Sequence, residues 1–170
     1  MRLDLGGCVV RPWKKDDSSA LAFAANNRNV WLKLRDSMPH PYTLADAEAY
    51  LNRVTADASS QSFCIEVNGT VAGGIGLRIK EGVHRHRAEL GYWIAEPCWG
   101  RGFMTEVVPA FVANRFAALP LGRIFAEVYA NNPASVRVLE KAGFAFEGRL
   151  RKNVIKEGEI LDTLLYALVR

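Results

Sequence analysis

The chain has 170 residues, of which 49% are hydrophobic, 24% charged and 10% aromatic. That mixture excludes a disordered chain, a collagen-like repeat and a coiled-coil rod, and residues 1–170 are expected to form a single domain that buries a core without disulfides or structural metal. Twenty-two Lys and Arg against 18 Asp and Glu leave a formal charge of +4, which suits an anionic ligand such as a phosphorylated cofactor and says little of nucleic acid.

Cys8 to Trp13 reads as a first strand. Asp16-Asp17-Ser18-Ser19 opens a helix to about Asn26, with its acids at the favourable end of the helix dipole. Pro39-His40-Pro41-Tyr42 breaks the chain, and Thr43 is placed to cap the helix that follows. Ala47, Tyr50, Leu51 and Val54 recur at helical spacing, so that helix runs to about Asp57. Phe63–Val67 and Val71–Ile79 are strands joined by Asn68-Gly69, a pair that tolerates positive φ and signals a tight hairpin. Ala88 to Ala95 adds a third strand to an antiparallel meander.

The turn Gly100-Arg101-Gly102 leads into a helical stripe of Met104, Val107, Val108, Phe111, Val112 and Arg115. Pro109 conflicts with that helix, because it removes a donor and crowds the carbonyl four residues back, at a cost of roughly 3 kcal/mol; a kink or an open turn is expected there. Arg123 to Tyr129 is a strand. Asn132-Pro133 starts a helix that ends at Ala142, with Gly143 as the left-handed residue past its end. Two last strands flank the turn Glu157-Gly158. The order predicts an α/β (α+β) domain. Its mixed, mostly antiparallel twisted sheet has about six or seven strands and about four flanking helices.

Two stretches carry chemistry. Trp99-Gly100-Arg101-Gly102-Phe103-Met104-Thr105 lies between a strand and a helix. The first amides of a helix lack internal partners, the dipole is positive there, and glycines let an anion approach. This turn can hold a diphosphate on main-chain N–H groups, or it can be a tight turn without a ligand. It is neither a Walker loop nor a dinucleotide fingerprint. About thirty residues on, Asn132-Pro133-Ala134-Ser135 precedes Val138-Leu139-Glu140-Lys141-Ala142-Gly143-Phe144.

Together these stretches resemble the GNAT N-acetyltransferase superfamily: the first its acetyl-CoA pyrophosphate loop, the second its Asn-x-x-Ser helix ending in Glu-Lys-x-Gly-Phe. Residues 34–43, 89–94, 100–106 and 147–151, with Asp162 and Tyr166, resemble one branch, the ribosomal-protein-alanine N-acetyltransferases. Trp99 stands where the loop has Gln or Arg, Met104 where it has Gly or Ala, and Leu139 where many relatives carry a tyrosine acid.

The resemblance implies acetyl transfer from acetyl-CoA to a primary amine by direct attack in a ternary complex. The acceptor it favours is a protein N-terminal α-amine, as on a ribosomal protein. A small amine such as a polyamine or an amine antibiotic, or a non-catalytic acyl-CoA sensor, are the alternatives. It places the acetyl-CoA site on Trp93, Ile94, Ala95, Gly100, Arg101, Gly102, Phe103, Met104, Thr105, Asn132 and Ser135. Glu89 and Glu127 are the base candidates, each otherwise a solvated carboxylate or an ion-pair partner of a residue such as Arg87. Ser135 takes the acid's role on the leaving thiolate, or simply bonds backbone in a helix's first turn. A main-chain N–H near Ile94 and Ala95 faces the oxyanion, and Trp93 to Ala95 pair with pantetheine amides. Met38, His40 and Tyr42 stand where the branch puts its acceptor wall; core packing is the other reading.

No metal is expected. His84 and His86 alternate as on a strand, but two histidines without a third ligand make a weak zinc site, and a solvated loop suits them better. No run approaches the ~20 apolar residues of a membrane span, and the N-terminus has no leader-like core. Three widely spaced cysteines, Cys8, Cys64 and Cys98, suit a reduced, cytoplasmic protein. The expected partners are acetyl-CoA and the amine, with no nucleic acid or membrane, in a monomer or homodimer.

Overall fold

The computed structural model describes residues 1–170. The chain divides into two units, Met1–Gly76 with Tyr92–Phe103 and Leu77–Gly91 with Met104–Arg170.

In the first unit a two-residue strand β1 (Leu3–Asp4) pairs antiparallel with β2 (Val9–Pro12), and β2 with β3 (Ser62–Val67). The β3–β4 hairpin (β4, Thr70–Ile79) turns through Asn68 and Gly69 at φ 51° and 78°. That is the mirror-image turn whose twist matches the strands it joins. Between β2 and β3 come α1 (Ser18–Ala25), α2 (Arg28–Trp31) and α3 (Leu44–Ala56). Thr43 caps α3 reciprocally: its hydroxyl accepts from the Asp46 amide at 3.2 Å, and the Asp46 carboxylate accepts from the Thr43 amide at 2.8 Å. Trp13, Leu21, Ala25, Tyr42, Ala47, Leu51, Cys64 and Val71 form this unit's core.

The expected helix from Asp16 begins differently. Lys15–Asp17 is a single 3-10 turn, and Asp17 is buried. Its carboxylate takes both ends of the Arg11 guanidinium at 2.8 Å, while Arg11 Nε donates to Glu66 at 2.6 Å. The acid serves a buried ion pair first and the helix start second.

In the second unit the start of β5 (Arg87–Ile94) pairs parallel with β6 (Arg123–Tyr129). Strand β8 (Glu159–Val169) lies antiparallel to both β6 and β7 (Ala145–Lys156). Glu157 and Gly158, at φ 53° and 81°, close the last hairpin. Helix α4 (Phe103–Ala118) precedes β6, and α5 (Pro133–Lys141) follows it. The strand order is β1-β2-β3-β4-β5-β6-β8-β7.

The count exceeds the expectation of six or seven strands and four helices. The additions are β1, two residues long, and α2, one turn; neither is long enough to show a hydrophobic period. Helix α4 runs unbroken through Pro109, with no open turn. Val107, Val108, Phe111 and Val112 are at most 2% exposed, and burial of that face outweighs the missing backbone bond. Arg115, the last residue of the stripe, is buried, with its guanidinium over the Phe111 ring and on the Asn114 side chain. His84 and His86 lie before β5 rather than on a strand, His84 closing the 3-10 turn Gly82–His84. No helix is long and apolar enough to cross a membrane.

Candidate active site

The first unit carries the end of β5 and the glycine turn. Gly73 on β4 passes so near β5 that a Cβ there would lie 2.3 Å from the Trp93 carbonyl oxygen. The Ala95 amide donates to Ala72 O at 2.7 Å, and the Trp99 indole N–H donates to Ile94 O at 2.8 Å. So Ala95 is already committed as a donor, and Trp99, far from idle in place of Gln or Arg, holds the strand end.

After the 3-10 turn Glu96–Cys98, Gly100 and Gly102 adopt φ of 71° and 84°, where side chains are strained. Nothing lies within 4 Å of the Cβ that Gly100 lacks, so the turn is open to an approaching anion. Helix α4 starts at Phe103 and is 16 residues long, with a full dipole behind those first amides. Phe103 and Met104 are 9% and 7% exposed, so their side chains belong to the core and only their backbones can serve a ligand. The Arg101 guanidinium rests over the Phe103 ring, 4.9 Å from its centre.

The acceptor segment is mixed. His40 is exposed and stacks on Trp31 with ring centres 5.3 Å apart. Tyr42 is core instead: it is 7% exposed, and burial pushes its hydroxyl pKa up to about 12. Met38 packs on the same cluster. Of Met38, His40 and Tyr42, His40 alone is exposed.

In the second unit Glu89 and Glu127 differ. Glu89 pairs with Lys80 at 2.6 Å, and its side chain is 11% exposed. Arg87 lies over the Phe125 ring, 5.5 Å from its centre. Glu89 stands opposite Phe125 in the register, two positions before Glu127 on β6, so Phe125 and Glu127 share a face of that strand. Glu127 accepts from the Asn153 side-chain amide at 2.8 Å, and Asn153 also donates to the buried Thr163 hydroxyl at 2.9 Å. A cation therefore engages one candidate base and a neutral amide the other.

Asn132 caps α5, its Oδ1 accepting from the Ser135 amide at 3.3 Å. That sets Ser135 in the first turn, with Leu139 fully buried one turn on. Gly143 at φ 85° ends the helix, and the Phe144 amide donates back to Leu139 O at 3.0 Å. Tyr166, 5% exposed, donates from its hydroxyl to Glu140 at 3.1 Å. Cys64 is no nucleophile, since burial pushes its thiol pKa up to about 12.

Lys80 and Asn153, the partners of the two candidate glutamates, were not legible in the sequence as such. Lys80 reaches Glu89 because the turn between β4 and β5 closes with Lys80 N on Arg87 O at 3.0 Å, a pairing that a hairpin register could have suggested. Asn153 sits where the β7–β8 register shifts between Leu150 and Val154, which nothing in the sequence marks.

The comparisons with known proteins converge on one family. A curated Bacillus subtilis relative, the uncharacterized N-acetyltransferase YoaA, is 43% identical over 98 residues, 58% of this chain and 55% of YoaA, so that match spans about half of its length. Spermidine N(1)-acetyltransferase of Escherichia coli K12 is 26% identical over 156 residues, 91% of this chain and 82% of that enzyme. Among solved structures, the ribosomal L7/L12 α-N-protein acetyltransferase RimL in complex with coenzyme A matches with a TM-score of 0.89 at 17% identity, over 99% of this chain and 98% of RimL. That likeness is one of fold. The sequence profile of the acetyltransferase (GNAT) domain fits residues 8–145, from the first core strand through both the glycine turn and the Asn132 helix, and the chain accordingly belongs to the GNAT acetyltransferase family.

Proposed function

We propose that the protein transfers an acetyl group from acetyl-CoA to a primary amine by direct attack in a ternary complex, the acceptor being a protein N-terminal α-amine. One observation carries the donor assignment. Two glycines at positive φ, the first open where its Cβ would be, lie at the N-terminus of a 16-residue helix, next to a strand end fixed by Trp99. Backbone amides of residues 100–105 then bind the diphosphate, with Arg101 beside them and Asn132 and Ser135 on α5 completing the donor site. Trp93 to Ala95 pair with the pantetheine arm, and the Ile94 amide faces the oxyanion.

The amine must shed a proton to attack. A lysine-like amine has a pKa near ~10.4 and an α-amine about 7.7–8.0, so the α-amine is already partly neutral near pH 7. A modest base then suffices, and Glu127 suits that part. Its partner is the neutral Asn153 amide, whereas the Lys80 ammonium already engages Glu89. Ser135 donates a proton to the leaving thiolate in place of the tyrosine that Leu139 displaces, and His40 meets the acceptor. A polyamine is the second reading, favoured by the alignment over 82% of the E. coli spermidine enzyme. We place the protein in the cytoplasm, where acetyl-CoA and reduced thiols coexist.

The test is thiol release from acetyl-CoA with alanyl and seryl peptides, a lysine-side-chain peptide, spermidine and an aminoglycoside, beside calorimetric CoA binding. Release with α-amino peptides supports this reading, and release with spermidine alone moves the acceptor to the second. On the active acceptor, Ser135→Ala lowers turnover about 10²-fold or more while CoA affinity stays similar. Glu127→Gln flattens the acidic limb of the pH–rate profile and Glu89→Gln does not. An unchanged rate in Ser135→Ala removes the acid, and the reverse order of the glutamates moves the base to Glu89.

A further inference from the structure

Glu96 opens the 3-10 turn between β5 and the glycine turn. Both of its carboxylate oxygens are taken by side-chain amides from a distant stretch of the chain. Asn27 Nδ2 donates to Oε2 at 2.7 Å and Asn29 Nδ2 to Oε1 at 2.8 Å. Asn27 also caps α2, its Oδ1 accepting from the Val30 amide at 3.1 Å. One residue earlier, Asn26 Oδ1 accepts from the Tyr42 amide at 3.0 Å. Residues 26–29 therefore hold three things at once: the start of α2, the segment leading to Tyr42, and the Glu96 turn. On the other side of Glu96, the Trp99 amide donates to Glu96 O at 3.0 Å, and the Trp99 indole fixes Ile94 O. An unbroken path of hydrogen bonds and backbone thus runs from the His40–Tyr42 segment to the strand end and the glycine turn.

The chemistry of the clamp is specific. An ionised carboxylate only accepts, and each asparagine presents an NH2 to one of its oxygens. Two separate amides on one carboxylate fix the turn in position and in rotation, where a single contact would leave it free to swing.

We propose that Glu96 is a positioning residue that couples the acceptor segment to the acetyl-CoA site, so that seating the donor orders residues 26–42 for the amine. This rests on the acetyl-CoA reading of the glycine turn and on the acceptor role of the segment around His40.

Hydrogen exchange of residues 26–42 with and without CoA tests it, in wild type, Glu96→Ala, Asn29→Asp and the double variant Glu96→Gln with Asn29→Asp, with calorimetric CoA binding and melting temperature for each. Glu96→Ala removes both acceptors, and Asn29→Asp sets carboxylate against carboxylate. In the double variant the new amide oxygen at 96 accepts from Asn27 while its NH2 donates to the new carboxylate at 29, so the clamp re-forms with its charge moved. In wild type CoA slows exchange of the segment. Each single variant is expected to lose at least about fivefold of that slowing, the lower end of ordinary coupling between sites, and the double variant to recover it. A merely structural role would not be restored by the swap, so loss in the singles without recovery overturns the proposal. Equal slowing in all four proteins overturns it too. Failure of wild type to bind CoA is the separate result that overturns the acetyl-CoA reading, and this coupling with it.

Discussion

Single atoms decide two features at the donor strand. Gly73 lets β4 run close beside the Trp93 carbonyl, and a Cβ at 2.3 Å from that oxygen forces the backbone apart. Gly73→Ala is expected to cost about 1–3 kcal/mol in denaturant unfolding, as overpacking does. An unchanged midpoint would mean that the strands separate freely there. Trp99 is the second case. From the sequence alone it stands as a departure from the family loop, whereas the structure gives its indole a backbone acceptor on Ile94. Its sequence neighbours, Cys98 and Gly100, say nothing of a carbonyl five residues back, and for that reason the bond was not legible.

At the scale of the element, legibility follows length and capping chemistry. Helix α5 announces itself, because Asn132, Pro133 and Gly143 each have one physical job at a helix end and the structure gives each that job. Removing the cap with Asn132→Ala is expected to cost about 1 kcal/mol of stability. The variant is also expected to weaken CoA binding, because the cap orients the first turn that carries Ser135. A loss of stability with CoA affinity intact would separate the cap from the donor site. The Asn68-Gly69 and Glu157-Gly158 turns were legible for the same reason: positive φ has a short list of tolerant residues. Helix α2 and strand β1 were not, since one turn and two residues show no period. Helix α4 was legible in its stripe; the helix stays continuous through Pro109 without an open turn, and a local rule counts the lost backbone bond but cannot count the burial of Val107, Val108 and Phe111. The site divided in the same way. Backbone-driven features, the glycine turn and the capped helix, could be read from residue types. Side-chain partnerships across the fold, Glu89 with Lys80, Glu127 with Asn153 and Glu96 with two asparagines, needed the tertiary structure.

Across the whole molecule, pH enters through the ion pairs. Burial alone would raise the carboxyl pKa of Asp17, but hydrogen bonds from Arg11 and the Lys14 amide outweigh it and hold the pKa below its ordinary value of 3.8. A carboxylate depressed on folding contributes stability that is present above its unfolded pKa and lost as pH falls through the folded one. Unfolding free energy should therefore drop as pH falls below 3.8, and Asp17→Asn should flatten that drop while lowering stability at neutral pH. An acid slope identical in the variant would assign acid lability to the other depressed carboxylates, such as Asp46, Asp57, Glu147 and Asp162. The central claim is direct transfer of acetyl to an α-amine. It is tested by incubating the protein with acetyl-CoA and one peptide that carries both a free N-terminus and a lysine, then locating the added acetyl group by fragment mass spectrometry. A single acetyl group on the α-amine is the predicted result; acetylation on the lysine side chain, or none on any amine offered, would contradict it.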